Sequence, residues 1–315
     1  MPRVYPPIEG KSAVLSPSLV ESTAGFTAGI VSTLVAHPFD VVKTRLQVDQ
    51  NSPSRLGDSA RIVRNILKNE GSYAALYRGL MPNMIGNSIS WALYFMWYSN
   101  IKDTIGSWRG TQGNLTSADY FIASGASGIL TAFFTNPIWV IKTRMLSTAK
   151  NTPGAYQSVR HGCSHIWATE GIRGFYRGLV PSLFGVSHGA IQFMAYEQLK
   201  NHWSIARGGK DELTNMDFLT LSAFSKMFAG SITYPYQVVR ARLQTYDANS
   251  QYRGASDVVR KVWAREGLRG FYKGLGPNLI RVLPTTCVTF LVYENTKFYL
   301  PRLYQVEDSA EVANA

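Results

Sequence analysis

Pro38-Phe39-Asp40-Val41-Val42-Lys43-Thr44-Arg45 decides the fold, because the chain writes it three times. It returns as Pro137-Ile138-Trp139-Val140-Ile141-Lys142-Thr143-Arg144 and as Pro235-Tyr236-Gln237-Val238-Val239-Arg240-Ala241-Arg242, with the prolines 99 and 98 residues apart. A second block follows each copy: Glu70-Gly71 leads to Tyr77-Arg78-Gly79, Glu170-Gly171 to Tyr176-Arg177-Gly178, and Glu266-Gly267 to Tyr272-Lys273-Gly274. A third closes each unit at Tyr98-Ser99, Tyr196-Glu197 and Tyr293-Glu294. Self-similarity at a fixed period marks a repeat architecture. The units span residues 18–105, 115–203 and 213–300, with tails at 1–17 and 301–315.

Each unit reads as helix, basic loop with a short amphipathic helix, then helix. In unit one the first helix runs from about Leu19 to Val48 and carries Gly25 and Gly29, a small-xxx-small spacing that lets helices approach closely in lipid. Ser124 and Gly128 stand at the equivalent places in unit two. Prolines 82, 181 and 277 mark the start of each second helix, where a missing N–H does no harm. The loops at 43–79, 142–178 and 240–274 hold 21 of the 32 Lys and Arg residues. Basic loops stay on the side from which the chain does not cross. All three share one side only if each unit crosses twice, which gives six crossings and both termini opposite the loops.

Composition agrees. The net charge of +12 points to an anionic partner, whether nucleic acid, lipid or solute. Yet only 17% of residues are charged, against roughly 25% in soluble domains. Mean hydropathy is −0.07 and no run of 18 residues is purely apolar, as expected of helices that line a watery path with one polar face. Cys163 and Cys287 lack the spacing of a disulfide framework or zinc site. No secretory signal is visible, so an organelle address is internal. No phosphate loop, dinucleotide fingerprint, HExxH or GxSxG occurs, so no enzyme activity and no prosthetic group are expected.

These blocks resemble the signature of the mitochondrial carrier family, over essentially the whole chain from about Leu19 to Tyr299. The resemblance implies an all-α membrane protein: six transmembrane helices in three pseudo-symmetric repeats, with short amphipathic helices on the matrix side. It also implies a central substrate site, two gates that open alternately, the inner mitochondrial membrane with both termini toward the intermembrane space, cardiolipin at the matrix-side turns, and a monomer. Pro137-Ile138-Trp139, Ile89-Ser90-Trp91-Ala92-Leu93-Tyr94-Phe95, Val186-Ser187-His188-Gly189-Ala190-Ile191-Gln192-Phe193 and Thr233-Tyr234-Pro235-Tyr236-Gln237 resemble the subgroup that carries FAD, folate and other nucleotide-like cofactors.

Site residues follow from the same resemblance. The matrix gate pairs acid positions Asp40, Trp139 and Gln237 with Lys43, Lys142 and Arg240; with one acid of three, a full ionic lock cannot form. Trp139 offers only its ring face to a donor. The cytoplasmic gate sets Ser99, Glu197 and Glu294 against Lys102, Lys200 and Lys297, and its surplus cations would draw anions into the mouth. Family positions four residues past the helix prolines are Gly86, Gly185 and Arg281. The glycines would leave room for a large ring system, and an unpaired Arg281 would offer its fork to phosphate or carboxylate. Asn87, Trp91, His188 and Gln192 add hydrogen bonds and a stacking face. Lys226 stands where the other units have Gly29 and Gly128, and is expected to bind anion in the cavity. No metal site is expected; His188 has no second ligand at i+4.

The leading expectation is therefore a carrier of an anionic, aromatic-ring cofactor, FAD first and folate second, with FMN, NAD, a pyrimidine nucleotide or thiamine pyrophosphate behind. A basic helical nucleic-acid binder fits the charge but leaves the phased proline blocks unexplained. A proton-conducting carrier does not explain the subgroup motifs.

Overall fold

The structure, a computed structural model, describes residues 17–50, 57–109, 115–152, 154–207 and 213–314, and among these there is no strand. Unit one comprises α1 (Pro17–Val48), the loop helix α2 (Asp58–Glu70), a 3-10 turn (Tyr73–Tyr77) and α3 (Leu80–Trp108). Unit two comprises α4 (Ser117–Ser147), the loop helix α5 (Val159–Phe175), α6 (Leu179–Leu183) and α7 (Gly185–Arg207). Unit three comprises α8 (Asn215–Ile232), α9 (Tyr234–Leu243), α10 (Ala248–Gln251), the loop helix α11 (Ala255–Gly270), α12 (Leu275–Ile280) and α13 (Val282–Asn314). Helix α13 thus runs through most of the segment 301–315 read as a tail, whereas residues 1–16 of the other tail lie outside the described residues.

Three of the six rods break where the others run on. In unit three α8 gives way to α9 at Thr233, two residues before Pro235, whereas the equivalent Pro38 and Pro137 lie inside the unbroken α1 and α4. Pro284 cannot donate to Ile280, and α12 gives way to α13 at Arg281. At Phe184 no proline intervenes; both the backbone N–H and the hydroxyl of Ser187 turn back to the Phe184 carbonyl, at 3.2 and 2.6 Å.

The second long helix of each unit packs along the first of the next: α3 on α4, α7 on α8, and α13 back on α1. The rods therefore close into a ring. Close approach occurs at Gly128, where an added Cβ would lie 3.2 Å from Val186, and at Ser124, whose hydroxyl bonds that of Tyr94 at 2.8 Å. At Gly25 and Gly29, where the spacing predicts close approach, it does not occur; the space beside both is open. Ala24 and Ala28, one position earlier, are buried instead.

The ring is apolar outside and polar within. Phe26, Phe121 and Phe193 are exposed, while Asp40, Asn83, Arg144 and Arg242 are buried. Leu19–Val48, Ala118–Ser147 and Leu275–Arg302 are long and apolar enough to cross a membrane. Helix α3 is interrupted by Asn83, Asn87, Ser90, Ser99 and Asn100, the polar facing expected of a rod beside water.

The basic ends are tied by buried ion pairs. Arg45 meets Glu70 at 2.5 Å, Arg144 and Arg177 share Glu170, and Arg242 and Lys273 share Glu266. Burial tends to raise the Glu170 and Glu266 carboxyls, but hydrogen bonds and charge from these cations outweigh it and hold both below the ordinary value. The Tyr-Lys-Gly turn then sends the chain back. Gly274 has φ +84°, and a Cβ there would lie 2.8 Å from the Lys43 carbonyl and from the Tyr234 hydroxyl, so glycine is required twice over.

Candidate functional site

The repeated blocks converge where α1, α4 and α9 meet. Lys142 on α4 lies 3.9 Å from Asp40 on α1. Lys43 on α1 donates to Gln237 on α9 at 2.8 Å, and to Asn278 on α12 at 2.9 Å. Arg240 on α9 sits over the Trp139 ring of α4, 5.9 Å from its centroid, and Lys142 covers the same ring at 4.8 Å. Each cation therefore reaches the preceding unit's acid position. One link is ionic, one a hydrogen bond, and one a cation–π contact, within the distance at which such contacts act. A lock of three ion pairs is absent, yet the circuit between the three units is complete. Gln47 and Gln244 lie beneath it. Gln47 bonds the Tyr234 hydroxyl at 3.1 Å, and Gln244 accepts from Thr143 at 2.8 Å. The sequence reading passed over both glutamines, although they recur nine residues after their prolines.

Two cavities flank this layer. One of about 280 Å³ is lined by Ser32, Thr33, Asp40, Asn83, Asn87, Lys142, Lys226, Arg281 and Thr285. The other, of about 300 Å³, lies toward the basic loops and is lined by Lys43, Trp139, His188, Tyr236, Gln237, Arg240 and Gln244, again with Asp40, Lys142 and Arg281. Among the described residues only those last three line both cavities. Arg281 is not an unpaired arginine: its guanidinium binds the Asp40 carboxylate. Lys226 and Asn87 reach the first cavity. His188 reaches the second, and its Nδ1 lies 2.9 Å from the Thr233 hydroxyl. That hydroxyl gives its proton to the Ala229 carbonyl, so His188 Nδ1 is the donor and Nε2 is left as an acceptor. Trp91 stacks on Phe95, 5.7 Å between centroids, and neither it nor Gln192 lines either cavity.

No ring-sized vacancy exists beside Gly86 or Gly185. A Cβ on Gly86 would meet Ile138 at 3.2 Å and the Trp139 ring at 3.5 Å, and one on Gly185 would meet the Tyr236 hydroxyl at 3.2 Å. The three equivalent positions instead form size-matched pairs with the following unit's proline block: Gly86 with Trp139, Gly185 with Tyr236, and Arg281 with Asp40.

Among the described residues the far end of the ring has a single ion pair between units rather than a circuit. Lys200 meets Glu197 on its own helix at 3.8 Å, and Lys297 meets Glu21 of α1 at 3.1 Å. Lys102 lies over Tyr98, one turn away on α3. Among the described residues no ion pair joins Glu197 or Glu294 to a lysine of another unit. The ties between units are thus concentrated toward the basic loops.

The mitochondrial carrier protein model matches residues 16–107, 113–206 and 211–303. The chain is 37% identical to the mitochondrial FAD carrier protein of Saccharomyces cerevisiae, covering 90% of this chain and 98% of that one. It is 39% identical to nicotinamide adenine dinucleotide transporter 2, mitochondrial, of Arabidopsis thaliana, covering 86% and 77%. It is 38% identical to folate transporter 1, chloroplastic, of the same plant, covering 87% and 93%. The family match falls on all three repeats and covers nearly the whole chain, and the chain belongs to the mitochondrial carrier family.

Proposed function

We propose that this protein carries FAD across the inner mitochondrial membrane by alternating access, with no covalent step. The observation that carries the reading is the floor of the open cavity, where Lys142, Lys226 and Arg281 face a single carboxylate, Asp40. A surplus of cations in a membrane-embedded cavity calls for an anion. The diphosphate bridge of FAD supplies two charges in a compact group, which suits a floor of about 280 Å³. The relative named as a FAD carrier supports the choice. Folate, which would bring carboxylates to the same cations, is the second reading, and NAD shares the diphosphate.

In this reading Asn87, Lys226 and Arg281 contact the solute first and His188 receives it beyond the floor. Gly86 and Gly185 act through the Trp139 and Tyr236 side chains that pack on them and line the second cavity, while Trp91 and Gln192 stand outside both cavities. The links among Asp40, Lys43, Trp139, Lys142, Gln237 and Arg240 form the matrix gate. The set Ser99, Lys102, Glu197, Lys200, Glu294 and Lys297 forms the cytoplasmic one. The basic loops face the matrix, both termini face the intermembrane space, and the carrier acts as a monomer. A cavity of about 880 Å³ between Tyr77, Arg78, Met81, Lys150, Tyr156 and Arg160 suits a two-phosphate lipid such as cardiolipin.

Purified protein in liposomes, offered FAD, NAD, folate and riboflavin, tests the reading. Uptake of FAD but not of riboflavin, which lacks phosphate, is expected. Uptake of folate alone moves the assignment to the second reading, and uptake of none of the anions overturns it.

A further inference from the structure

The loop helices of units two and three carry the same exposed apolar pair, which the central site does not use. Trp167 on α5 and Trp263 on α11 each stand three residues before the ion-paired glutamate of the Glu-Gly block. Ile172 and Leu268 each stand two residues after it. Trp167 is 66% exposed, Trp263 63%, Ile172 62% and Leu268 63%. The glycine between the members of each pair bends the chain in the same way, with φ of +62° at Gly171 and +63° at Gly267. An exposed arginine, Arg173 or Arg269, follows the aliphatic residue directly.

Unit one does not repeat the pair. Leu67 and Ser72 hold the two places, and Leu67 is half-buried. Tyr77 follows Glu70 by seven residues, whereas Tyr176 and Tyr272 follow their glutamates by six. The extra residue is taken up in the 3-10 turn, which exposes Tyr73 between Ser72 and Ala74.

The helix period shows what the pair faces. Arg160 lies seven residues before Trp167, two turns earlier on the same side of α5. Arg160 lines the large cavity whose far wall includes Met81 and Ile85, both apolar and exposed on the long rod α3. That side of α5 therefore looks onto the bilayer that covers α3. On α11, Val259 is exposed one turn before Trp263 and extends the same apolar side. Indole rings are enriched at headgroup depth, where the apolar body and the N–H both find suitable surroundings. A neighbouring guanidinium suits lipid phosphate.

We propose that Trp167, Ile172 and Arg173 form one anchor in the headgroup layer on the basic-loop side, that Trp263, Leu268 and Arg269 form a second, and that unit one lacks the equivalent. The partner is an anionic phospholipid surface. The indoles lie at headgroup depth, the aliphatic side chains reach beneath it, and the arginines take phosphate. The ring is thereby fixed to the leaflet on two of its three sides.

The test is lipid quenching of tryptophan emission from the full-length carrier in vesicles of phosphatidylcholine and phosphatidylglycerol, with or without bromine at the top of the acyl chains. The emission of each ring is the difference between wild type and Trp167→Phe, or wild type and Trp263→Phe. The readout is depth rather than transport, so it is independent of the solute carried. Both difference spectra should be blue-shifted and should lose most of their intensity to the brominated lipid, with little lost to acrylamide in the water. Difference spectra that are red-shifted, quenched by acrylamide and untouched by the brominated lipid overturn the proposal. Should either variant not fold, Trp167→Tyr or Trp263→Tyr replaces it, with the same two outcomes. Vesicles of phosphatidylcholine alone should lower the lipid quenching of both rings, and quenching that does not change overturns the part given to Arg173 and Arg269.

Discussion

At the scale of single residues, the site works by substitution within a threefold plan. Trp139 stands at an acid position and still receives a cation, Arg240, on its ring face. A cation–π contact of this kind contributes about 0.5–2 kcal/mol. Trp139→Ala should therefore lower the melting temperature and leave a void beside Gly86, whereas Trp139→Asp should restore an ion pair to Arg240 and slow uptake without raising affinity. Liposome uptake and thermal unfolding read the two effects separately, and unchanged transport in both variants would remove Trp139 from the mechanism. Lys226→Ala should weaken FAD binding several-fold, read as a rise in the concentration for half-maximal uptake with little change in maximal rate. The identity of these residues was legible in the sequence, because each falls at a fixed offset from a repeated proline. Their partners were not. That Arg281 is held by Asp40, 241 residues away, and that Gly86 is filled by a tryptophan of the next unit, depend on inter-unit packing that no single unit encodes.

At the scale of elements, the loop helices and turns lock the basic end. Glu170 and Glu266 have their carboxyls held below the ordinary value by Arg144, Arg242 and Lys273, against the opposing pull of burial. A group whose folded value is depressed contributes stability above its unfolded value, near pH 4.3, and loses it as the pH falls through the folded value. Unfolding in detergent should thus become easier as pH drops from about 5 toward 3, and Glu266→Gln should flatten that dependence. Gly274→Ala should destabilise by about 1–2 kcal/mol or more through the positive φ alone, before the clash with the Lys43 carbonyl is counted. The existence and order of the helices were written in the proline and glycine punctuation. The break at Phe184 was not, since no proline or tight turn announces it. The caps Thr116–Asp119 and Thr214–Asp217, each a reciprocal capping box, were readable as Thr-x-x-Asp yet were passed over.

At the scale of the whole molecule, an apolar exterior encloses an interior whose floor carries more cations than acids. The surplus of Lys142, Lys226 and Arg281 over Asp40 at the floor makes a field for anions. Initial uptake at low substrate should therefore fall as ionic strength rises, with maximal rate nearly constant, because salt screens the approach more than the bound state. Stopped-flow uptake at several salt concentrations would show it; insensitivity to salt would mean that the field plays no part in capture. The six-rod plan came from repeat and charge pattern rather than from hydropathy, which marks three of the rods alone. The matched pairs Gly86 with Trp139, Gly185 with Tyr236 and Arg281 with Asp40 have a consequence for protein engineering. Each joins two units, so a unit is not an interchangeable module. A chimaera that imports the second unit from a carrier with a small acid in place of Trp139 would inherit a hole beside Gly86. The natural cassette for grafting runs instead from the middle of one unit to the middle of the next, with each such pair kept whole.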